Sequence, residues 1–173
     1  HQASHSFPTR RSSDLSERRI ERLVNPLLSG LPAFLVKDPG LHSGFMIAQY
    51  TAAALVSENK ILSHPASVDS IPTSANKEDH VSMGSIAARK CKQVLFNVEN
   101  VIAIELLCAA QALDLLTNRK AGAGTKEAYT VIRRYISHLD ADRILSEDIE
   151  KMCRLVRDGT ILSSVEKRIG VLK

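Results

Sequence analysis

Tryptophan is absent from this 173-residue sequence, and four Phe and three Tyr make up all of its aromatic content, 4% of the chain. Sheet proteins lean on aromatic and β-branched side chains, whereas Ala and Leu fill the apolar positions here and favour helix. Cysteine is scarce too: Cys91, Cys108 and Cys153 form no C-x-x-C pair. An odd, scattered set reads as free buried thiols in a reducing compartment, not as a disulfide framework or a metal site. The longest near-continuous apolar run, Val101 to Leu116, contains Glu105 and is shorter than the roughly 20 residues that span a membrane. No secretory signal is visible, so a cytoplasmic protein with no membrane partner is expected. The net charge of +4 is modest, and Lys and Arg alternate with Glu and Asp without aromatic interleaving, which leaves no nucleic-acid footprint.

What is there is helical. A short helix from the N-cap candidate Ser16 to Val24 ends at Asn25-Pro26, because a residue before Pro is pushed out of the α region. Asn25 to Gly40 reads as an ordered loop, with a weak strand signal at Phe34. A helix capped by Ser43 runs to about Leu62, and Phe45 to Val56 within it has almost no polar face. Val81 to Leu116 reads as one rod of about 54 Å, with a polar stripe on its first half and an apolar second half. Such a rod overshoots a globule of this size, so an oligomer or part of a larger protein is expected. Thr117 to Thr125 is a linker whose Gly122-Ala123-Gly124 lacks phosphate-loop spacing. Amphipathic helices are expected at Lys126 to Ile136, Ser146 to Arg157 and Thr160 to Ile169, with Asp158-Gly159 closing the second.

Between the two apolar helices lies the polar stretch Ser70 to Gly84, with Asn76, Lys77, Glu78, Asp79 and His80 in succession. Long connections inside compact domains tend to be functional. Read only from its neighbours, Glu78 is a helix-start carboxylate that suits the dipole of the rod beginning at Val81. His42, His64, His80 and His138 show no ligand spacing and read as structural, and Tyr50, Tyr129 and Tyr135 as packed.

Ser70 to Gly84 resembles the corresponding stretch of the histidine ammonia-lyases, aromatic amino-acid lyases with a methylidene-imidazolone electrophile. Gly44 to Gln49, Leu55 to Lys60 and His64 to Ser70 follow in the family's order, and the resemblance runs from about Ser16 to the C-terminus. It covers about the last third of such an enzyme. It implies an all-α, long-helix bundle similar to the aspartase/fumarase-like fold. It also implies non-oxidative elimination of ammonia from L-histidine to urocanate, in a homo-oligomer, a tetramer, whose active sites form between subunits. At the position of Glu78 the family places an active-site carboxylate facing the substrate imidazole or the transferred proton, so Glu78 is the candidate catalytic and substrate-binding residue. Phenylalanine and tyrosine ammonia-lyases usually carry an amide there. Lys77 departs from the Gln of most relatives.

The resemblance also marks what this chain does not encode. The electrophile forms from Ala-Ser-Gly, and the chain offers only Leu28-Ser29-Gly30 and His42-Ser43-Gly44. His5 to Leu15 resembles an in-frame translation of a sequencing adapter, so residues 1–15 are expected to be non-native and disordered. Residues 16–116 would be the core of the bundle and 117–173 a C-terminal helical cover. The fragment alone is expected to be inactive. Two other readings stay open: part of a phenylalanine or tyrosine ammonia-lyase or aminomutase, or a non-catalytic helical oligomerisation module.

Overall fold

The computed structural model describes residues 8–66, 68, 71–81, 84–116 and 120–172, with side chains from Arg11 onward. Helices α1 (Pro8–Val24), α2 (Pro26–Ser29), α3 (Met46–Leu62), α4 (Gly84–Leu115), α5 (Ala123–Tyr135), α6 (Leu145–Arg157) and α7 (Thr160–Ile169) follow one another, with a 3-10 turn at Ala33–Leu35. Among the described residues there is no strand, and Phe34 sits in the 3-10 turn with φ 54°. The all-α expectation holds.

The fold is organised around α4, whose 32 residues extend about 48 Å. From Val94 onward, Asn97, Val98, Val101, Ile104, Leu107, Cys108 and Gln111 recur every three or four residues and are buried. Helices α1, α3 and α6 pack on that stripe, while α7 packs on α5. Residues 84–93 remain at the surface. The expected division of the rod into a surface part and an enclosed part is observed, but burial begins at Val94 rather than Val101, and Asn97, expected on the polar surface stripe, is fully buried. The start of the rod moves from Val81 to Gly84. By length and composition α4 could cross a membrane, but half of its apolar window is buried inside this chain, as in the core helix of a packed bundle.

Several expectations change. Residues 1–15 do not lack structure throughout: α1 begins at Pro8, and Ser13 is fully buried, accepting a hydrogen bond from Asn59 Nδ2 at 3.3 Å. Once Ile20 and Val24 anchor α1 in the core, adding helical residues to its N-terminal side costs little, because nucleation is the expensive step. Residues 1–7 lie outside the described residues. Helix α3 starts at Met46, and the Ser43 side chain does not cap it. The amides of Ser43 and Gly44 instead donate to the Asp142 carboxylate at 2.8 and 2.9 Å, which ties the loop before α3 to a segment far along the chain. Gly44 is required there, since its φ is +53° and a Cβ would stand 2.5 Å from the Phe34 carbonyl oxygen.

The outer face of α3 is not enclosed. Ile47, Tyr50 and Ile61 are exposed along it. Tyr135 is likewise exposed, and of the thiols Cys108 and Cys153 are buried but Cys91 is not. Burial and the nearby Glu105 push the Cys108 thiol far up, so it is inert. At the other end of the chain, Gly159 at φ 65° turns α6 into α7, as its sequence position suggested.

Candidate functional site

Two polar clusters flank α4, and they are built differently. The first is at its C-terminal end. Asp114 accepts from the Tyr129 hydroxyl at 2.5 Å, from Arg133 Nη2 at 2.5 Å and from His138 Nδ1 at 2.7 Å. Tyr129 and Arg133 stand four residues apart and therefore share a face of α5. One turn before Asp114, buried Gln111 donates to the carbonyls of Leu35 and Leu139 and accepts from the Leu139 amide at 3.1 Å. Partial burial raises the Asp114 pKa. The hydrogen bonds from His138 and Tyr129 and the Arg133 charge outweigh it and hold the carboxyl below its ordinary value. This cluster fastens α5 and the segment after it to α4 and the 3-10 turn.

The second cluster follows α3. Ahead of it, fully buried Asn97 donates to Glu58 Oε2 at 2.6 Å and Asn59 Oδ1 at 2.9 Å, and the Ser63 hydroxyl donates to the Asn59 carbonyl at 2.6 Å. These bonds fix the end of α3 against α4, and Lys90 donates to the carbonyl of His64 just beyond it. The chain then forms a small hairpin. The Thr73 amide donates to the Glu78 carbonyl at 2.9 Å, and the Glu78 amide returns a bond to the Thr73 carbonyl at 3.4 Å. Ser74, Ala75 and Asn76 between them have φ of 55°, 57° and 66°, a left-handed run without glycine. Every residue from Ile71 to His80 is exposed. Ser70, Ser82 and Met83 of this stretch lie outside the described residues.

Glu78 is therefore not a helix-start carboxylate, because α4 begins six residues later and Glu78 closes a hairpin. Its side chain accepts from the Thr73 hydroxyl at 3.3 Å and is otherwise open to solvent. Lys77 is exposed beside it, its amide donating to the Ser74 carbonyl at 3.2 Å. His64 and His80 are exposed and His42 is half-buried. No group of side chains among the described residues could hold a metal ion. His138, expected to be merely structural, joins the Asp114 cluster, which sequence reasoning did not assemble. The available signal was a lone acid at the end of an apolar run, preceded one turn earlier by Gln111.

The described residues form an all-α bundle strung on one long, half-exposed helix, with the hairpin that carries Glu78 left open to solvent. The sequence model of the aromatic amino acid lyase family matches residues 7–134, and the chain belongs to that family. It is 61% identical over 162 residues to histidine ammonia-lyase of Natranaerobius thermophilus, covering 93% of this chain and 32% of that protein. It is 59% identical over 160 residues to the histidine ammonia-lyase of Symbiobacterium thermophilum, covering 92% and 32%. The crystal structure of histidine ammonia-lyase from Trypanosoma cruzi superposes with a TM-score of 0.88 at 51% identity, covering 93% of this chain and 32% of that one. Tyrosine aminomutase from Streptomyces globisporus gives 0.89 at 40% identity, covering 95% and 32%. The chain thus spans about a third of the length of its relatives.

The residues present do not fit a self-formed methylidene-imidazolone. Neither Ser-Gly pair is preceded by Ala. The Ser29 hydroxyl is engaged with the Asn25 carbonyl and the Leu31 amide, and the Ser43 and Gly44 amides hold Asp142.

Proposed function

We propose that this chain is one third of a histidine ammonia-lyase that eliminates ammonia from L-histidine to give urocanate. Glu78 serves as its substrate-site carboxylate. The observation that carries the reading is the state of Glu78. It is exposed on a hairpin, takes no part in starting a helix, and receives one hydrogen bond from its own chain. A carboxylate can accept from an imidazole N–H or take up a proton, which an amide does poorly. Greater identity to histidine ammonia-lyases than to the tyrosine aminomutase supports histidine over tyrosine.

In this reading the methylidene-imidazolone of the whole enzyme comes from another part of the assembly, and this chain contributes only the acidic hairpin. The whole enzyme is a cytoplasmic homotetramer whose site closes between subunits. The exposed apolar face of α3 and the exposed first half of α4 support burial against further helices.

The test uses a full-length enzyme in which residues 16–173 replace the matching segment of the Natranaerobius thermophilus relative. Urocanate formation is followed by absorbance, with tyrosine and phenylalanine as competing substrates. Glu78→Gln keeps the shape and removes the charge. It should lower catalytic efficiency about ten- to a hundredfold if a charge-assisted hydrogen bond is lost, and about 10²–10⁴-fold, mainly in turnover, if Glu78 moves a proton. Unchanged kinetics with a lower melting point would return Glu78 to the scaffold.

A further inference from the structure

Thr73 and Glu78 exchange both backbone hydrogen bonds, so they form a directly opposed antiparallel pair. Side chains of such a pair project from the same face of the ribbon. The Thr73 hydroxyl uses that placement to donate to Glu78 Oε2 at 3.3 Å. It is the one hydrogen-bond donor recorded to this carboxylate among the described residues. Threonine is stiff at χ1, so its hydroxyl is held in few positions and can restrict a longer, flexible glutamate.

The turn between them is costly. Ser74, Ala75 and Asn76 are all left-handed, and for L-residues that region costs roughly 1–2 kcal/mol each. A Gly at Ala75 would relieve the strain, yet the turn keeps a side chain at all three positions. Its effect here is to return the chain so that position 78 faces position 73.

We infer that Thr73 is a positioning residue for Glu78, aiming its carboxylate in the site that the hairpin serves. The inference rests on the reading of Glu78 as a substrate-site carboxylate. Removing the hydroxyl frees the glutamate to sample other rotamers, so its carboxylate is held less often where substrate would meet it.

The experiment uses the same full-length enzyme with Thr73→Val, Thr73→Ala and Thr73→Ser, beside Glu78→Gln. Melting curves are recorded beside the kinetics, so that a loss of turnover with an unchanged curve is separated from a loss of fold. Thr73→Val and Thr73→Ala should lower kcat about three- to tenfold, the effect of one ordinary hydrogen bond, with KM for histidine little changed. Thr73→Ser should restore kcat. The inference is overturned if Glu78→Gln is damaging while Thr73→Val leaves kcat where it was. It is also overturned if Thr73→Ser is as poor as Thr73→Val. Should Glu78→Gln itself leave kinetics intact, the reading of Glu78 fails first and the role of Thr73 falls with it.

Discussion

The clusters around Asp114 and Glu78 contain similar chemistry in opposite settings. Asp114 draws three donors from α5 and the segment after it, and its neighbour Gln111 ties in the 3-10 turn and Leu139. Glu78 has a single side-chain donor among the described residues and stands on ten consecutive exposed residues. A carboxylate that the chain surrounds by itself works as a fastening. One left open, in a family member spanning a third of its relatives' length, is available to groups from elsewhere. The same contrast runs along the α4 helix, buried from Val94 and exposed before it.

The largest effect should come from separating the chain from the rest of the enzyme. The isolated 173 residues should form no urocanate, and light scattering should detect self-association through Ile47, Tyr50, Ile61, Leu95 and Phe96, all exposed apolar side chains. Turnover by the isolated chain, or a well-behaved monomer, would break the comparison at its open end.

At the closed end, Asp114→Ala should lower unfolding free energy by about 2–4 kcal/mol, because it strands the Arg133 guanidinium and the Tyr129 hydroxyl half-buried. Denaturant titration measures this, and a change below about 0.5 kcal/mol, the size of an ordinary surface substitution, would mean the cluster fastens nothing. Gln111→Leu should cost about 1–3 kcal/mol by leaving the buried Leu139 amide without its side-chain acceptor.

Acid should act on the same fastenings. The amides of Ser43 and Gly44 hold the Asp142 carboxyl below its ordinary value, as His138, Tyr129 and Arg133 hold that of Asp114. For such groups the stabilisation is present above the unfolded-chain pKa, near 4, and is lost as pH falls through the lower folded value. Circular dichroism should show stability declining below about pH 4. The decline should be shallower in Asp114→Asn, and an equal slope in the variant would remove Asp114 from the account. The smallest effect is expected for Ser13→Ala, about 0.5–1.5 kcal/mol for its bond with Asn59, read from the melting curve.

The helices themselves were legible in the residues. The apolar run from Val101 to Leu116 marked most of the buried part of α4, though not its beginning at Val94, and Asn25-Pro26 and Asp158-Gly159 marked where helices stop. Glu78 was legible only through resemblance, since its immediate neighbours suggested a helix start. What separated the two readings was a left-handed turn at Ser74 to Asn76, which non-glycine residues do not announce. The Asp142 clasp on the loop before α3 was hidden for another reason: its partners lie 99 and 98 residues away. Exposure of Tyr50 and Tyr135 was likewise unreadable, because an apolar helix face looks the same whether its cover is present or not.

By itself the sequence determined the all-α class, the long central helix and the break before α2. These depend on local backbone preference and on periodicity within one helix, which short-range chemistry dictates, whereas the family was legible only through resemblance. Tertiary structure alone decided that Asp114, Tyr129, Arg133 and His138 meet, that Asp142 holds the loop before α3, that Ser13 is buried, and that Thr73 faces Glu78. Such pairings depend on how segments distant in sequence or joined by an unusual turn come together in space, and residue spacing along the chain carries no record of that.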